Sequence, residues 1–199
     1  CCKYAKSCVR PTGTRRPATN AYRLMSSSPV AVVGAGSYGT ALAFCLARNG
    51  VDTYLWGRNA AHMHALAEDR QNARYLPGAT FPDKLHVCAE FNTAIQQSTD
   101  ILVVVPSHAF RQTLEQLAPQ LTSKHRIIWA TKGLEPGTGR LLKEVAEEIL
   151  GSDRPIAVLS GPTFAKEMVA GLPTAISLSA TESDLARSFA EKLHCAKSF

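Results

Sequence analysis

Gly34-Ala35-Gly36-Ser37-Tyr38-Gly39 spaces three glycines as a phosphate-binding turn requires. In such a turn the first glycine permits the tight bend, the second lets a pyrophosphate approach the backbone, and the third packs helix against strand. The helix that opens there adds unpaired N–H groups and the positive end of its dipole, and Ser37 adds a hydroxyl. Glycines are common, so the hexad gains its weight from context: an apolar run ends at Val33 and a helical pattern follows. About 20 residues further on, at the end of the second strand of such a unit, a carboxylate binds the ribose 2′-OH of NAD. Here that slot is Gly57, followed by Arg58, while Asp52 stands at the wrong end of the strand. A missing carboxylate beside a guanidinium favours a 2′-phosphate, hence NADP(H) over NAD(H), unless Arg58 is a solvated loop arginine.

In open α/β sheets, ligands bind beyond the carboxyl ends of the strands. Three later segments fall there: Val105-Pro106-Ser107, Thr131-Lys132-Gly133 and Ser160-Gly161-Pro162-Thr163-Phe164-Ala165. Lys132, between a buried strand and a glycine turn, suits an anionic or oxygen-rich ligand or is an ordinary surface lysine. Thr163 can cap the following helix and point its hydroxyl into the same crevice. His62 and His64 sit two apart on a helical pattern and face different ways, so no metal site is expected from them. Of the other histidines, His108 lies nearest the crevice, and Lys166 and Glu167 read as an exposed helix face. No Ser/His/Asp triad or carboxylate pair can be argued from spacing.

The elements that must position these residues alternate short β-rich runs with helical patterns, as in βαβ units around a parallel sheet. Expected strands are Val30–Val33, Thr53–Trp56, Leu85–Cys88, Ile101–Val105, Arg126–Ala130, Ile156–Leu159 and Ala175–Leu178. Expected helices are Thr40–Asn49, Ala60–Asp69, Phe91–Gln97, Phe110–Leu117, Leu141–Leu150 and one opened by a Thr181-x-x-Asp184 capping box. Asn72–Pro82 reads as irregular. The fold class is α/β, a Rossmann-type, doubly wound, mostly parallel sheet spanning residues 26–199.

The net charge of +6 resides entirely in residues 1–25, which carry six Lys/Arg and no acid; the remainder holds 16 basic and 16 acidic residues. The body thus has no electrostatic footprint for nucleic acid. The leader is Arg-rich like a transit peptide, but Pro11, Gly13 and Pro17 break the amphipathic helix one would need. It reads as a disordered or non-native extension upstream of a start at Met25. Cys45, Cys88 and Cys195 show no ligand spacing and suit buried positions in a reducing, cytoplasmic setting. The longest apolar runs have strand length, short of the ~18 residues that would suggest a membrane span.

Taken together, the glycine hexad with Thr40-Ala41, Leu55-Trp56-Gly57-Arg58, Asn72-Ala73-Arg74-Tyr75-Leu76-Pro77-Gly78, Val105-Pro106-Ser107, Ala130-Thr131-Lys132-Gly133-Leu134-Glu135 and Ser160 through Glu167 resemble bacterial NAD(P)-dependent glycerol-3-phosphate dehydrogenase, in its N-terminal dinucleotide-binding domain. The resemblance implies reversible reduction of dihydroxyacetone phosphate to sn-glycerol 3-phosphate, a precursor of phospholipids. It places Gly34, Gly36, Ser37, Tyr38, Gly39 and Arg58 on the dinucleotide. It sets Lys132 on cofactor and substrate, Gly161 and Thr163 on substrate, and Ala165 on cofactor.

Members of this family carry a second, helical domain that supplies the general acid/base lysine and grips the substrate phosphate. That domain is expected to be absent here, so no catalytic residue is assigned within the chain, and the chain is expected to be inactive alone. The resemblance leaves room for a homodimer of the full-length enzyme. A non-catalytic dinucleotide-sensing module, or another two-domain dehydrogenase of the 6-phosphogluconate or hydroxy-acid type, remains an alternative.

Overall fold

The structure, a computed structural model, describes residues 28–194; the leader and Cys195 lie outside them. The elements run β1 (Val30–Val33), α1 (Ser37–Arg48), β2 (Thr53–Trp56), α2 (Ala60–Asp69), β3 (Gln71–Asn72), β4 (Leu76–Thr80), β5 (Leu85–Val87), α3 (Phe91–Gln96), β6 (Asp100–Val103), α4 (Ser107–Leu117), β7 (Arg126–Trp129), α5 (Leu142–Leu150), β8 (Ile156–Ser160), α6 (Ala165–Ala170), β9 (Ser177–Ala180) and α7 (Ser183–Leu193).

Four consecutive apolar residues in β1 are all fully buried, as a strand covered on both faces demands. Their side chains alternate. Val30 and Val32 join a core with Leu42, Leu46, Met63, Met168 and Phe189 from α1, α2, α6 and α7. Ala31 and Val33 face the other way, to Ile95, Phe110, Leu114 and Val145 from α3, α4 and α5. On that face Trp129 meets Phe110 edge-on, ring centroids 5.6 Å apart. Burying each such side chain contributes about 1.5–3 kcal/mol, and two cores of this kind hold helices on both faces of one sheet.

The sheet order is β5-β2-β1-β6-β7-β8-β9, parallel throughout except for β9, which runs antiparallel to β8. The first six strands follow the doubly wound nucleotide-binding order, and the direction of winding reverses between β1 and β6. A crevice opens there because the connections leave β1 and β6 toward opposite faces.

The opposite end of the sheet is tied by charge. Asp100, fully buried, accepts from Arg126 Nε (2.6 Å) and Nη2 (2.9 Å) and from Lys192 Nζ (2.6 Å). Lys192 also donates to the Ser28 carbonyl at 2.6 Å, joining α7 to the residues before β1. Burial pushes the Lys192 ammonium below its ordinary value, against the pull of Asp100. Removing one partner of such a set typically costs 3–5 kcal/mol.

Several boundaries differ from the sequence reading. α1 begins at Ser37, not Thr40, because the Gly36 carbonyl already accepts from the Thr40 amide at 2.9 Å. The last strand forms two residues later than expected, at Ser177–Ala180. Asn72–Pro82 is not irregular: β3 and β4 pair as a short antiparallel hairpin. Thr181 does not cap α7, whose N-cap is Glu182. Its hydroxyl instead accepts from the Ile156 amide at 3.1 Å, so the edge of β8 claims the group that the capping box would use.

Candidate functional site

At the switch point lies an open crevice of about 450 Å³, walled by Gly36–Gly39, Val104–Pro106, Ala130–Lys132 and Thr163–Ala165. These are the turn opening α1, the ends of β6 and β7, and the loop joining β8 to α6. Of the residues singled out from sequence, Gly36, Ser37, Tyr38, Gly39, Lys132, Thr163 and Ala165 meet here. Gly34, Arg58 and Gly161 do not line it.

The glycines of the turn serve different ends. Gly34 has φ +127°, and a Cβ there would stand 2.1 Å from the Val104 carbonyl oxygen. At Gly39 a Cβ would fall 1.9 Å from the Gly34 oxygen, so the turn and α1 touch backbone to backbone. Gly36 is unlike both. Its backbone is ordinary (φ −76°), and no atom lies within 4 Å of where its Cβ would be. The fold does not need glycine there, and the space beside it is open to a group approaching from the crevice. That open wall, beside the free amides opening the twelve-residue α1, fits a pyrophosphate.

Asn72 supports the turn from behind. Fully buried, it donates through Nδ2 to the Ala35 carbonyl (3.2 Å) and the Thr40 hydroxyl (2.8 Å) and accepts from the Tyr75 amide (3.2 Å). The sequence reading missed this role because Asn72 lies in the stretch taken for a loop. Its signal in the sequence was its place at the head of the Asn72–Gly78 segment, one of those that carry the family resemblance.

Tyr38 crosses the crevice. Its hydroxyl shares a hydrogen bond with Thr163 Oγ1 at 2.8 Å, and Lys132 Nζ stands 6.0 Å from its ring centroid. Burial raises the Tyr38 phenol above its ordinary value, while the Thr163 bond acts in the opposite sense. Thr163 therefore does not cap α6, whose N-cap is Phe164 with no side-chain bond. Its hydroxyl does point into the crevice, as expected, but toward Tyr38.

Gly161 (φ +155°) is glycine for a local reason, since a Cβ would meet the Ala175 carbonyl oxygen at 2.5 Å. Gly57 also has a packing cause. A Cβ there would lie 2.8 Å from that of Ala35 and 3.0 Å from Met63 Sδ, so no carboxylate fits the slot. Arg58 follows it, exposed, and its side chain has no partner among the described residues. His108 is exposed on the first turn of α4, outside the crevice lining.

One buried atom in the lining is unpaired. Thr131 is 7% exposed, and its Oγ1 has no hydrogen-bond partner among the described residues. Leaving such a group unsatisfied costs about 1–3 kcal/mol. Beyond it, the loop bearing Lys132 is braced by Glu135, which accepts from Arg111 Nε and Thr138 Oγ1, both at 2.6 Å. Arg111 also donates to Glu148 at 2.8 Å. Hydrogen bonds from Arg111 and then Arg140 hold the Glu148 carboxyl down at about 2.

Residues 29–186 match the sequence model of the NAD-dependent glycerol-3-phosphate dehydrogenase N-terminus. The chain belongs to that family. It is 55% identical over 175 residues to glycerol-3-phosphate dehydrogenase [NAD(P)+] of Mannheimia succiniciproducens, covering 88% of this chain and 52% of that protein. Against the enzyme of the same name from Actinobacillus pleuropneumoniae the identity is 57%, with the same coverage. Among solved structures, glycerol-3-phosphate dehydrogenase from Coxiella burnetii superposes with a TM-score of 0.83 at 42% identity, over 86% of this chain and 52% of that one. The chain spans about half the length of the curated relatives it matches. The domain that the family model describes is the one seen here, a mostly parallel Rossmann-type sheet.

Proposed function

We propose that residues 26–199 form the dinucleotide-binding domain of an NAD(P)-dependent sn-glycerol-3-phosphate dehydrogenase, an oxidoreductase interconverting dihydroxyacetone phosphate and sn-glycerol 3-phosphate for phospholipid synthesis. The observation that carries this reading is the crevice at the β1/β6 switch point, where Gly36–Gly39, Lys132, Thr163 and Ala165 converge. In this reading the amides after Gly36 and the Ser37 hydroxyl hold the pyrophosphate. Tyr38 and Ala165 flank the cofactor. Lys132 brings a positive charge to the place where cofactor and substrate meet, and Thr163, oriented by Tyr38, presents its hydroxyl to the substrate. Gly161 serves through its backbone at the substrate end. When bound, the nicotinamide supplies or accepts the hydride.

The cofactor favoured is NADP(H), with NAD(H) also accepted. Packing excludes a carboxylate at Gly57, and the exposed Arg58 guanidinium beside it suits a 2′-phosphate. The proton-transferring lysine and the phosphate grip belong, by family resemblance, to the second half of the relatives' length. The same reading gives a small-molecule substrate, a cytoplasmic site of action, no nucleic-acid partner and a homodimer for the full-length enzyme. Among the described residues no helix is long and apolar enough to cross a membrane.

The test is titration of the 199-residue chain with NADPH and NADH by calorimetry, then NADPH oxidation with dihydroxyacetone phosphate. Saturable binding of both cofactors, NADPH at least as tightly as NADH, is expected. No binding of either overturns the proposal.

A further inference from the structure

We infer that the Thr131 hydroxyl is a contact for the nicotinamide half of the dinucleotide, an assignment that rests on the dinucleotide reading of the crevice. Thr131 stands at the carboxyl end of β7, between Ala130, whose amide is bonded to the Val103 carbonyl at 2.9 Å, and Lys132. Its burial is 93%, and its Oγ1 is the one unpaired buried side-chain polar atom of the crevice lining; the others among the described residues, on His62, His125 and Arg154, lie elsewhere. Native folds pair nearly all such groups, and an exception at a ligand crevice points to a partner that arrives with the ligand.

The position of β7 selects which half of the ligand that is. With the pyrophosphate at the turn after β1, the two nucleoside halves run in opposite directions along the strand ends. The ribose slot at Gly57 ends β2, on one side of β1, and sends adenosine that way. β6 and β7 lie on the other side, with β7 two strands from β1, roughly 9–10 Å away at ordinary strand spacing. The nicotinamide end carries an amide and ribose hydroxyls, groups that can both donate to and accept from a threonine hydroxyl. Nearby, the Thr163 hydroxyl is already engaged with Tyr38. Thr131 is thus the neutral polar group left free on that wall.

The test exploits opposite signs. In Thr131→Val the shape is kept and the hydroxyl is lost, so the free chain no longer buries an unpaired polar atom and its Tm rises by roughly 2–4 °C. NADPH binding weakens about tenfold. The affinity for adenosine 2′,5′-bisphosphate, which lacks the nicotinamide and its ribose, stays unchanged. Thr131→Ser, which retains the hydroxyl, binds NADPH as the parent chain does. A lower Tm in Thr131→Val, unchanged NADPH affinity, or equal weakening of both ligands overturns the assignment. If the parent chain binds neither ligand, the dinucleotide reading itself fails and takes the assignment with it; if it binds both and Thr131→Val binds NADPH as tightly as before, only the assignment fails.

Discussion

Gly36→Ala separates folding from binding at the phosphate turn. A methyl at position 36 meets nothing within 4 Å and sits on backbone of φ −76°, which alanine adopts freely. Two small terms oppose each other in the free chain. Alanine restricts the unfolded state, worth about 0.4–1 kcal/mol in favour of folding, but is a poorer N-cap than glycine. The melting temperature should therefore stay within a few degrees of the parent. Binding behaves differently, because the new methyl occupies the wall that a pyrophosphate must approach. Displacing the phosphates from one or two charge-assisted N–H bonds, at about 1.5–3 kcal/mol each, weakens NADPH by at least roughly tenfold and as much as roughly 2 × 10⁴-fold. Gly34→Ala and Gly39→Ala are the contrast: their methyls would overlap the Val104 and Gly34 carbonyl oxygens, so both should lower the melting temperature sharply. Calorimetric titration with NADPH, paired with thermal melts of all three variants, reads both quantities. Parent-like affinity in a folded Gly36→Ala chain would falsify the placement of the pyrophosphate against this turn.

Arg58→Ala should weaken NADPH by roughly 10- to 150-fold, the equivalent of about 1.5–3 kcal/mol for a charge-assisted contact, and leave NADH little changed; equal losses in side-by-side titrations rule out its reading the 2′-phosphate. The 199-residue polypeptide by itself should bind dinucleotide yet oxidise NADPH with dihydroxyacetone phosphate far below the common enzymatic range of about 1–10³ s⁻¹, since absence of a general acid alone removes typically 10²–10⁴-fold. Turnover within that range shows that the proton-transferring group is already present. Because the Glu148 carboxyl is held at about 2 against an ordinary 4.5, its contribution to stability is complete above about pH 4.5 and is lost as pH falls toward 2. In Arg111→Met the Glu148 carboxyl should titrate closer to 4.5 by carbon-detected NMR, and an unmoved titration argues against Arg111 as its main partner.

Much of the fold is legible in short stretches of the chain. Val30–Val33 and Ile101–Val103 are continuous apolar runs, and a run of that length buried on both faces belongs inside a parallel sheet. The glycine hexad, at the junction of such a run with a helical pattern, marks the turn that opens α1 at the crevice. Lys132, Thr163 and Ala165 were placed near it by one rule, that ligands gather beyond the carboxyl ends of strands. Local periodicity and turn chemistry act over a few residues, so they survive in the linear string.

What the string left undecided are the partners of polar side chains, because these depend on which distant elements pack together. Thr163 could cap a helix six residues long or meet Tyr38, 125 positions away; the sheet brings Tyr38 within 2.8 Å, and the longer-range bond forms. Thr181 likewise abandons a local capping box for the edge of β8. Asn72 supports the glycine turn through its bond to the Ala35 carbonyl, held there by the pairing of β3 with β4. Gly57, the slot without a carboxylate, and Gly161, set on the substrate by resemblance, are both accounted for by packing against Ala35, Met63 and the Ala175 carbonyl, whereas no contact among the described residues accounts for Gly36. Type and spacing thus determined the sheet and the neighbourhood of the crevice, whereas close packing across more than a hundred residues decided which hydroxyls are spent on the fold and which, like that of Thr131, stay unpaired among the described residues.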